Sequence, residues 1–130
     1  MSKAKGSRLE RELFHMFHKA DWQPIHVAGS GSATIEAADL VAGKKGRVLA
    51  IECKSGKGNR YIKKKQIEEL KTFSDKFGAE PWLGARFNNT EWLFLTLEDL
   101  KMSKTGNNFV VDLKLAKEKG INFEKLISLS

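Results

Sequence analysis

Four charged residues stand where the surrounding pattern calls for apolar ones: Glu10, Asp39, Glu52 and Lys54. With Leu9 as zero and steps of about 100° per residue, Leu13, Met16, Phe17 and Ala20 share one arc of a helix with Phe14 at its edge, and Glu10 falls inside that arc. Asp39 interrupts the apolar run Ala38–Ala42. In Arg47–Lys54 a period of two sends Leu49, Ile51 and Cys53 to one face, and Ala50, Glu52 and Lys54 to the other. Charges buried alone are costly, so these four demand partners. Two arrangements meet the demand. In one, Lys54 pairs with Glu52 or Asp39 as a structural ion pair and Glu10 reaches water at the helix edge. In the other, adjacent antiparallel strands set Asp39 beside Glu52 and a helix packed on the sheet points Glu10 at both. Three carboxylates converging in this way repel one another unless a cation sits among them. Hard Mg²⁺, which takes carboxylates and keeps open positions for phosphate oxygens, suits that set, with Mn²⁺ expected to substitute. Lys54, on the face of Glu52, then holds an attacking water or stabilises charge at phosphorus, as phosphodiester hydrolysis requires.

The elements that must position these groups follow from the pattern around them. Residues from about Ser7 to Ala20 read as an amphipathic helix whose outer face carries Arg8, Arg11, His15, His18 and Lys19. A short extended segment from Trp22 to Val27 is interrupted by Pro24, and Ala28–Ala33 is a Gly/Ser-rich loop. Ala38–Ala42 and Arg47–Lys54, joined at Gly43–Gly46, read as a β-hairpin. After a loop over Ser55–Arg60, a second helix is predicted from about Ile62 to Phe77, with the stripe Ile62, Ile67, Leu70, Phe73 and Phe77 and with Gly78 as its terminator. Trp82–Phe87 and Glu91–Leu95 read as strands joined at Asn88–Asn89, and Thr96 can cap a short helical turn. Phe109–Asp112 reads as a strand and Leu113–Ile127 as one or two modest helices. The order helix, strands, helix, strands predicts an α/β fold with a single mixed β-sheet flanked by helices.

Composition narrows the partner. The chain has 130 residues with 41% hydrophobic, enough for one domain with a core, and its 23 Lys and Arg against 16 Asp and Glu leave a net charge of +7. Such a surplus attracts polyanions, nucleic acid first among them. No apolar run approaches the ~20 residues that cross a bilayer, and MSKAKGSR lacks the apolar core of a signal peptide. With Cys53 as the one cysteine there is no internal disulfide, which fits a reducing, cytoplasmic compartment, and a DNA-directed role would make the protein nucleoid-associated. The chain reads as a single domain over 1–130, with residues 1–6 expected to be flexible.

In combination, Glu10 within Gly6-Ser7-Arg8-Leu9-Glu10-Arg11-Glu12-Leu13, the stretch Ala28-Gly29-Ser30, Asp39-Leu40-Val41-Ala42 and Ile51-Glu52-Cys53-Lys54 resemble the archaeal-type Holliday junction resolvases. These belong to the restriction-endonuclease-like nucleases with a PD-(D/E)xK motif, and the resemblance runs from the N-terminus to about Phe94. It implies a homodimeric, Mg²⁺-dependent endonuclease that nicks four-way DNA junctions symmetrically in recombination and repair. It further implies that Glu10, Asp39 and Glu52 bind the metal, that Lys54 is the catalytic lysine and that Ser30 is the serine of a mobile loop. Sliding clamps and recombination proteins are the protein partners it suggests. The chain departs from the pattern at Ala38, where the superfamily often has Pro, and the variable length after Ser30 leaves Ser32 as a second candidate for the loop serine. His26 stands near where a basic residue is common.

Other residues admit plainer readings. Gln66 could orient a water or Lys54, or bond a backbone carbonyl. His15 and His18 suit a solvated or phosphate-contacting face better than a metal site, and Cys53 suits a small core position. Lys3, Lys5, Arg8 and Arg11 form one basic cluster and Lys57, Arg60, Lys63, Lys64 and Lys65 another; each lies beside a proposed catalytic element, which favours phosphate contacts. Trp82, Phe87, Trp92 and Phe94 read as core or dimer interface. Two other functions compete: a non-catalytic DNA-binding module whose charges form only an ion network, and a nuclease of the same fold acting on flaps or duplex ends.

Overall fold

The computed structural model describes residues 3–27 and 38–129. Helix α1 spans Lys3–Lys19, four residues longer at its start than the apolar periodicity predicts. Lys3, Ala4 and Lys5 are good helix formers, which suits them to the added turn. Strand β1 (Gln23–His26) follows, with Pro24 on an edge strand, where a missing N–H is tolerated.

The hairpin forms as expected. Strands β2 (Leu40–Lys44) and β3 (Arg47–Gly56) pair from Lys44↔Arg47 to Leu40↔Ile51. Both turn residues, Lys45 and Gly46, have positive φ (46° and 88°), as a two-residue turn matched to strand twist requires. The ten-residue β3 is the sheet's central strand, antiparallel to β2 on one side and parallel on the other to β5 (Glu80–Phe87). Strand β6 (Leu93–Leu95) turns back from β5 through Asn88 and Asn89, and β9 (Ile121–Asn122) closes the far edge, so the six-stranded order is β1-β2-β3-β5-β6-β9. The expected mixed sheet flanked by helices is present.

A second sheet escaped the periodicity. Strand β4 (Arg60–Lys63) pairs with β8 (Asn108–Val111), which pairs with β7 (Lys101–Met102). Ile62 was expected to begin the second helix; it is fully buried in β4 opposite Phe109 instead. An apolar residue at that place satisfies either period, and the partner strand decides. Helix α2 therefore runs Lys64–Phe77 and ends, as expected, at Gly78 in the left-handed conformation. Phe77, the last residue of the predicted stripe, is 58% exposed and stacks on Phe73 with ring centres 5.2 Å apart.

Thr96 precedes a short 3₁₀ turn (Leu97–Asp99), as anticipated. Asp112 proves to be the cap of helix α3 (Leu113–Lys119) rather than the end of a strand, its Oδ1 accepting the Leu115 N–H at 2.7 Å. Asn122 caps α4 (Phe123–Ser128) in the same way, accepting from the Lys125 N–H.

Two cores sandwich the large sheet. On one face α1 and α4 bury Leu9, Leu13, Phe17, Phe123 and Leu126 against Leu40, Leu49, Ile51, Trp92 and Phe94. On the other, α2, α3 and the small sheet bury Ile67, Leu70, Leu115, Ile62 and Val111 against Ala50, Leu83, Ala85 and Leu95. The alternation predicted for β3 thus holds, and Trp82, Phe87, Trp92 and Phe94 are core residues of the monomer. Among the described residues no helix is long and apolar enough to cross a membrane.

Arg47, at the start of β3, ties the C-terminal helix down. Its guanidinium donates to both Glu80 oxygens (2.8 and 3.1 Å) and to the Leu126 and Leu129 carbonyls (2.7 and 3.1 Å), and lies 5.6 Å from the Trp22 ring. These hydrogen bonds, with a further one from Trp82, hold the Glu80 carboxyl below its ordinary value of 4.5. A carboxyl depressed in the folded state contributes stability that is fully present above the ordinary value and is lost as pH falls through the lowered one. Wild-type protein is therefore expected to unfold at a higher temperature than Glu80→Gln at pH 7, the gap closing as the pH falls from 4.5 through the lowered value. Thermal unfolding by circular dichroism across this range checks it; a pH-independent gap would refute the ion-pair account.

Candidate active site

Strand β3 outruns β2, and the candidate site lies where the pairing between them stops. The register carried one residue beyond Leu40↔Ile51 would set Asp39 opposite Glu52, but the Asp39 N–H donates at 2.9 Å to the carbonyl of Ile51, the residue that Leu40 already faces, so the one-to-one ladder ends there. One step further, a regular ladder would pair Cys53 with Ala38. Instead the Cys53 N–H donates to Asp39 Oδ2 at 2.8 Å. The carboxylate is thereby fixed at the strand end, where main-chain donors lose their regular partners.

Glu52 follows on β3 and is only 9% exposed, on the face shared with Ala50 and Lys54. Glu10 arrives from the opposite layer on α1 and is half-buried, in keeping with its place in the helix's apolar arc. Burial, and secondarily the charge of Asp39, push the Glu10 carboxyl up, while Lys54 pulls it down. Burial likewise raises the Cys53 thiol well above its usual range, reinforced by Asp39, Glu10 and Glu52 and opposed by Lys54. The four charged residues picked out by pattern therefore act on one neighbourhood. They do not form a finished metal cage: among the described residues no group of three His, Cys, Asp or Glu is arranged to hold a metal ion.

The donor set fits a hard cation nonetheless. It offers carboxylate oxygens alone, Mg²⁺ commonly needs only one or two of them, and Asp39 disfavours the charged form of Glu10 as an unneutralised like charge does.

A cleft of about 460 Å³ opens beside these groups, lined by Glu10, Cys53, Lys54, Ser55, Asn59, Arg60 and Tyr61, with Gly6 of α1 at its side. Cys53 packs against the α1 core, as its place on the strand face opposite Lys54 predicts, and it also borders this cleft. Ser30 and Ser32 lie outside the described residues, as does the Lys5 side chain. Arg8 and Arg11 are exposed on α1, and Lys57, Lys63 and Lys64 are exposed beyond Lys54. The Arg60 guanidinium donates to the Ser55, Lys57 and Asn59 carbonyls at 3.0–3.3 Å, folding the loop after β3. Gln66 Oε1 accepts the Lys63 N–H at the start of α2. His26 is exposed and stacks on Phe14, ring centres 4.9 Å apart.

Pattern reading missed the Cys53 N–H, Asn59 and Tyr61. A main-chain donor leaves no trace in residue type, and Tyr61 and Asn59 reach the cleft only because β4 lies beside it. Neither signal exists before the small sheet is known.

A mixed sheet flanked by helices, with acids and a lysine at the open end of its central hairpin, is the layout of a restriction-endonuclease-like nuclease. The family model "Archaeal Holliday junction resolvase (hjc)" matches residues 1–130, and the chain belongs to that family. The similarity therefore continues past Phe94 through the whole chain. Crossover junction endodeoxyribonuclease Hjc of Methanocaldococcus jannaschii is 41% identical over 124 residues, covering 95% of this chain and 86% of that one. Its namesake from Sulfolobus acidocaldarius is 37% identical over 129 residues, covering 97% and 88%. Among solved structures, the Holliday junction resolvase Hjc of Archaeoglobus fulgidus superposes with a TM-score of 0.82 at 29% identity, covering 93% of this chain and 98% of that one.

Proposed function

We propose that this chain is a structure-selective endonuclease that resolves four-way DNA junctions by metal-dependent phosphodiester hydrolysis in recombination and repair. The observation that carries the reading is that Glu10 and Lys54 line one cleft while the Cys53 N–H in its wall holds Asp39 beside it, in a chain of this family. Glu10, Asp39 and Glu52 would hold Mg²⁺, with Mn²⁺ able to replace it. When bound, the ion supplies positive charge to the phosphate as negative charge builds there. Asp39 is oriented by the Cys53 N–H, and Glu52 is restrained by burial. Lys54 places a cation in the cleft, where it orients the attacking water and stabilises the charge developing on phosphorus. Arg8, Arg11, Lys57, Lys63 and Lys64 hold the neighbouring phosphates. Two copies related by a two-fold axis would present two such sites to a junction of matching approximate symmetry, so the working unit is a homodimer. In this role it works in the cytoplasm at the nucleoid, alongside sliding clamps or recombination proteins.

The test offers labelled four-way, linear, forked and flap DNAs with Mg²⁺ and with chelator. Paired nicks confined to the junction, and absent with chelator, are expected. Metal-independent binding with no nicking would leave a DNA-binding module, and cuts confined to flaps or duplex ends would reassign the substrate.

A further inference from the structure

Tyr61 is 58% exposed although it lies in the middle of a paired strand. Alternation along β4 explains the orientation: Ile62 faces the core at 0% exposure, so Tyr61 faces out. Across the small sheet Tyr61 stands opposite Val110, and Val110 stands opposite Lys101, giving one outward row of an aromatic, an aliphatic and a cation. This row lies in a second groove of about 480 Å³, whose wall beyond β7 carries Lys104 and Thr105. Asn59 and Tyr61 line both this groove and the cleft that holds Glu10 and Lys54, so the two are continuous through those residues. Among the described residues neither Lys101 nor Lys104 is in an ion pair. Asp112, the acid on the lining, is engaged in capping α3.

We infer that the outer face of the small sheet is a second DNA-contact site, which grips a strand as it leaves the catalytic cleft. Lys101 and Lys104 take its phosphates, and the Tyr61 ring takes the face of a base or sugar at the boundary between groove and cleft. An unpaired nucleotide offers a π-face whatever its sequence, and an exposed aromatic flanked by cations recognises that combination of face and phosphate. The inference rests on the junction-cleaving reading, because continuity with the cleft is what identifies the occupant as DNA.

The test measures affinity for a four-way junction and for linear duplex in chelator, over a range of salt, for wild type, Tyr61→Ala, Tyr61→Phe and the double variant Lys101→Ala/Lys104→Ala. Tyr61→Ala is expected to weaken junction binding roughly tenfold, with Tyr61→Phe restoring it. The double variant is expected to weaken binding several-fold and to flatten the slope of log affinity against log salt by about one to two. Loss of structure alone would not change that slope selectively, and the lysines are exposed, so their removal leaves the fold intact. If wild type binds junctions and the double variant matches it in affinity and slope, the groove is overturned while the junction reading stands. If the groove variants lose DNA affinity but wild type never cuts a junction, the groove stands and the junction reading falls. If wild type binds no DNA, both fall.

Discussion

Glu52→Gln and Asp39→Asn are each expected to lower junction cleavage by about 10²–10³-fold while junction binding, measured with chelator, persists. Both substitutions keep shape and remove charge. The side-chain amide introduced by Asp39→Asn would still offer an oxygen to the Cys53 N–H now held at 2.8 Å, so the strand end survives, and a buried amide at position 52 carries no charge to desolvate. What disappears is the negative charge that, on the proposed reading, would recruit a divalent cation and balance Lys54. Single-turnover cleavage with excess enzyme, run beside a binding titration, separates the two effects. Full activity in either variant would remove the metal-site argument, and a parallel loss of binding would mean that the carboxylate supports the fold instead.

The largest effect on stability is expected from Phe94→Ala, about 3–5 kcal/mol. Phe94 is fully buried in β6, stacked on Trp92 at 6.2 Å between ring centres and set 6.4 Å from Phe123 of α4. A Cβ added at Gly84 would come within 3.2 Å of both Phe94 and Ile51, which shows how little slack surrounds the ring. Removing it opens a cavity among Trp92, Phe123 and Ile51, side chains held by separate elements that cannot all move inward together. For a domain of this size the loss corresponds to a fall in melting temperature of roughly 10–20 °C. Differential scanning calorimetry checks it, and a shift of less than a few degrees would show that the core collapses to fill the gap.

The site was legible because its chemistry violates pattern. An acid in an apolar helical arc, another at the head of an apolar strand and an acid–lysine pair on one strand face stand out against periodicity, and all four act on one neighbourhood in the fold. Less legible was anything carried by the main chain or by pairing between distant segments. The β2–β3 hairpin could be read because its strands are adjacent and its turn is short. The β4–β8 pairing joins segments far apart in the chain, and Ile62 fits a helical stripe as well as a strand, so no local signal separated the two. The loop-folding bonds of Arg60 were illegible for a related reason: nothing in a basic run says which guanidinium will fold back onto its own loop.

The alternation along β3 carries a further meaning. Glu52 and Lys54 belong to the face that packs against α2 and the small sheet, whereas Glu10 rides on α1 in the opposite core. Neither layer holds all of the proposed site residues, and only the packing of both onto the same strand brings them together. On the proposed reading, opening at α1 alone would therefore take Glu10 out of the site.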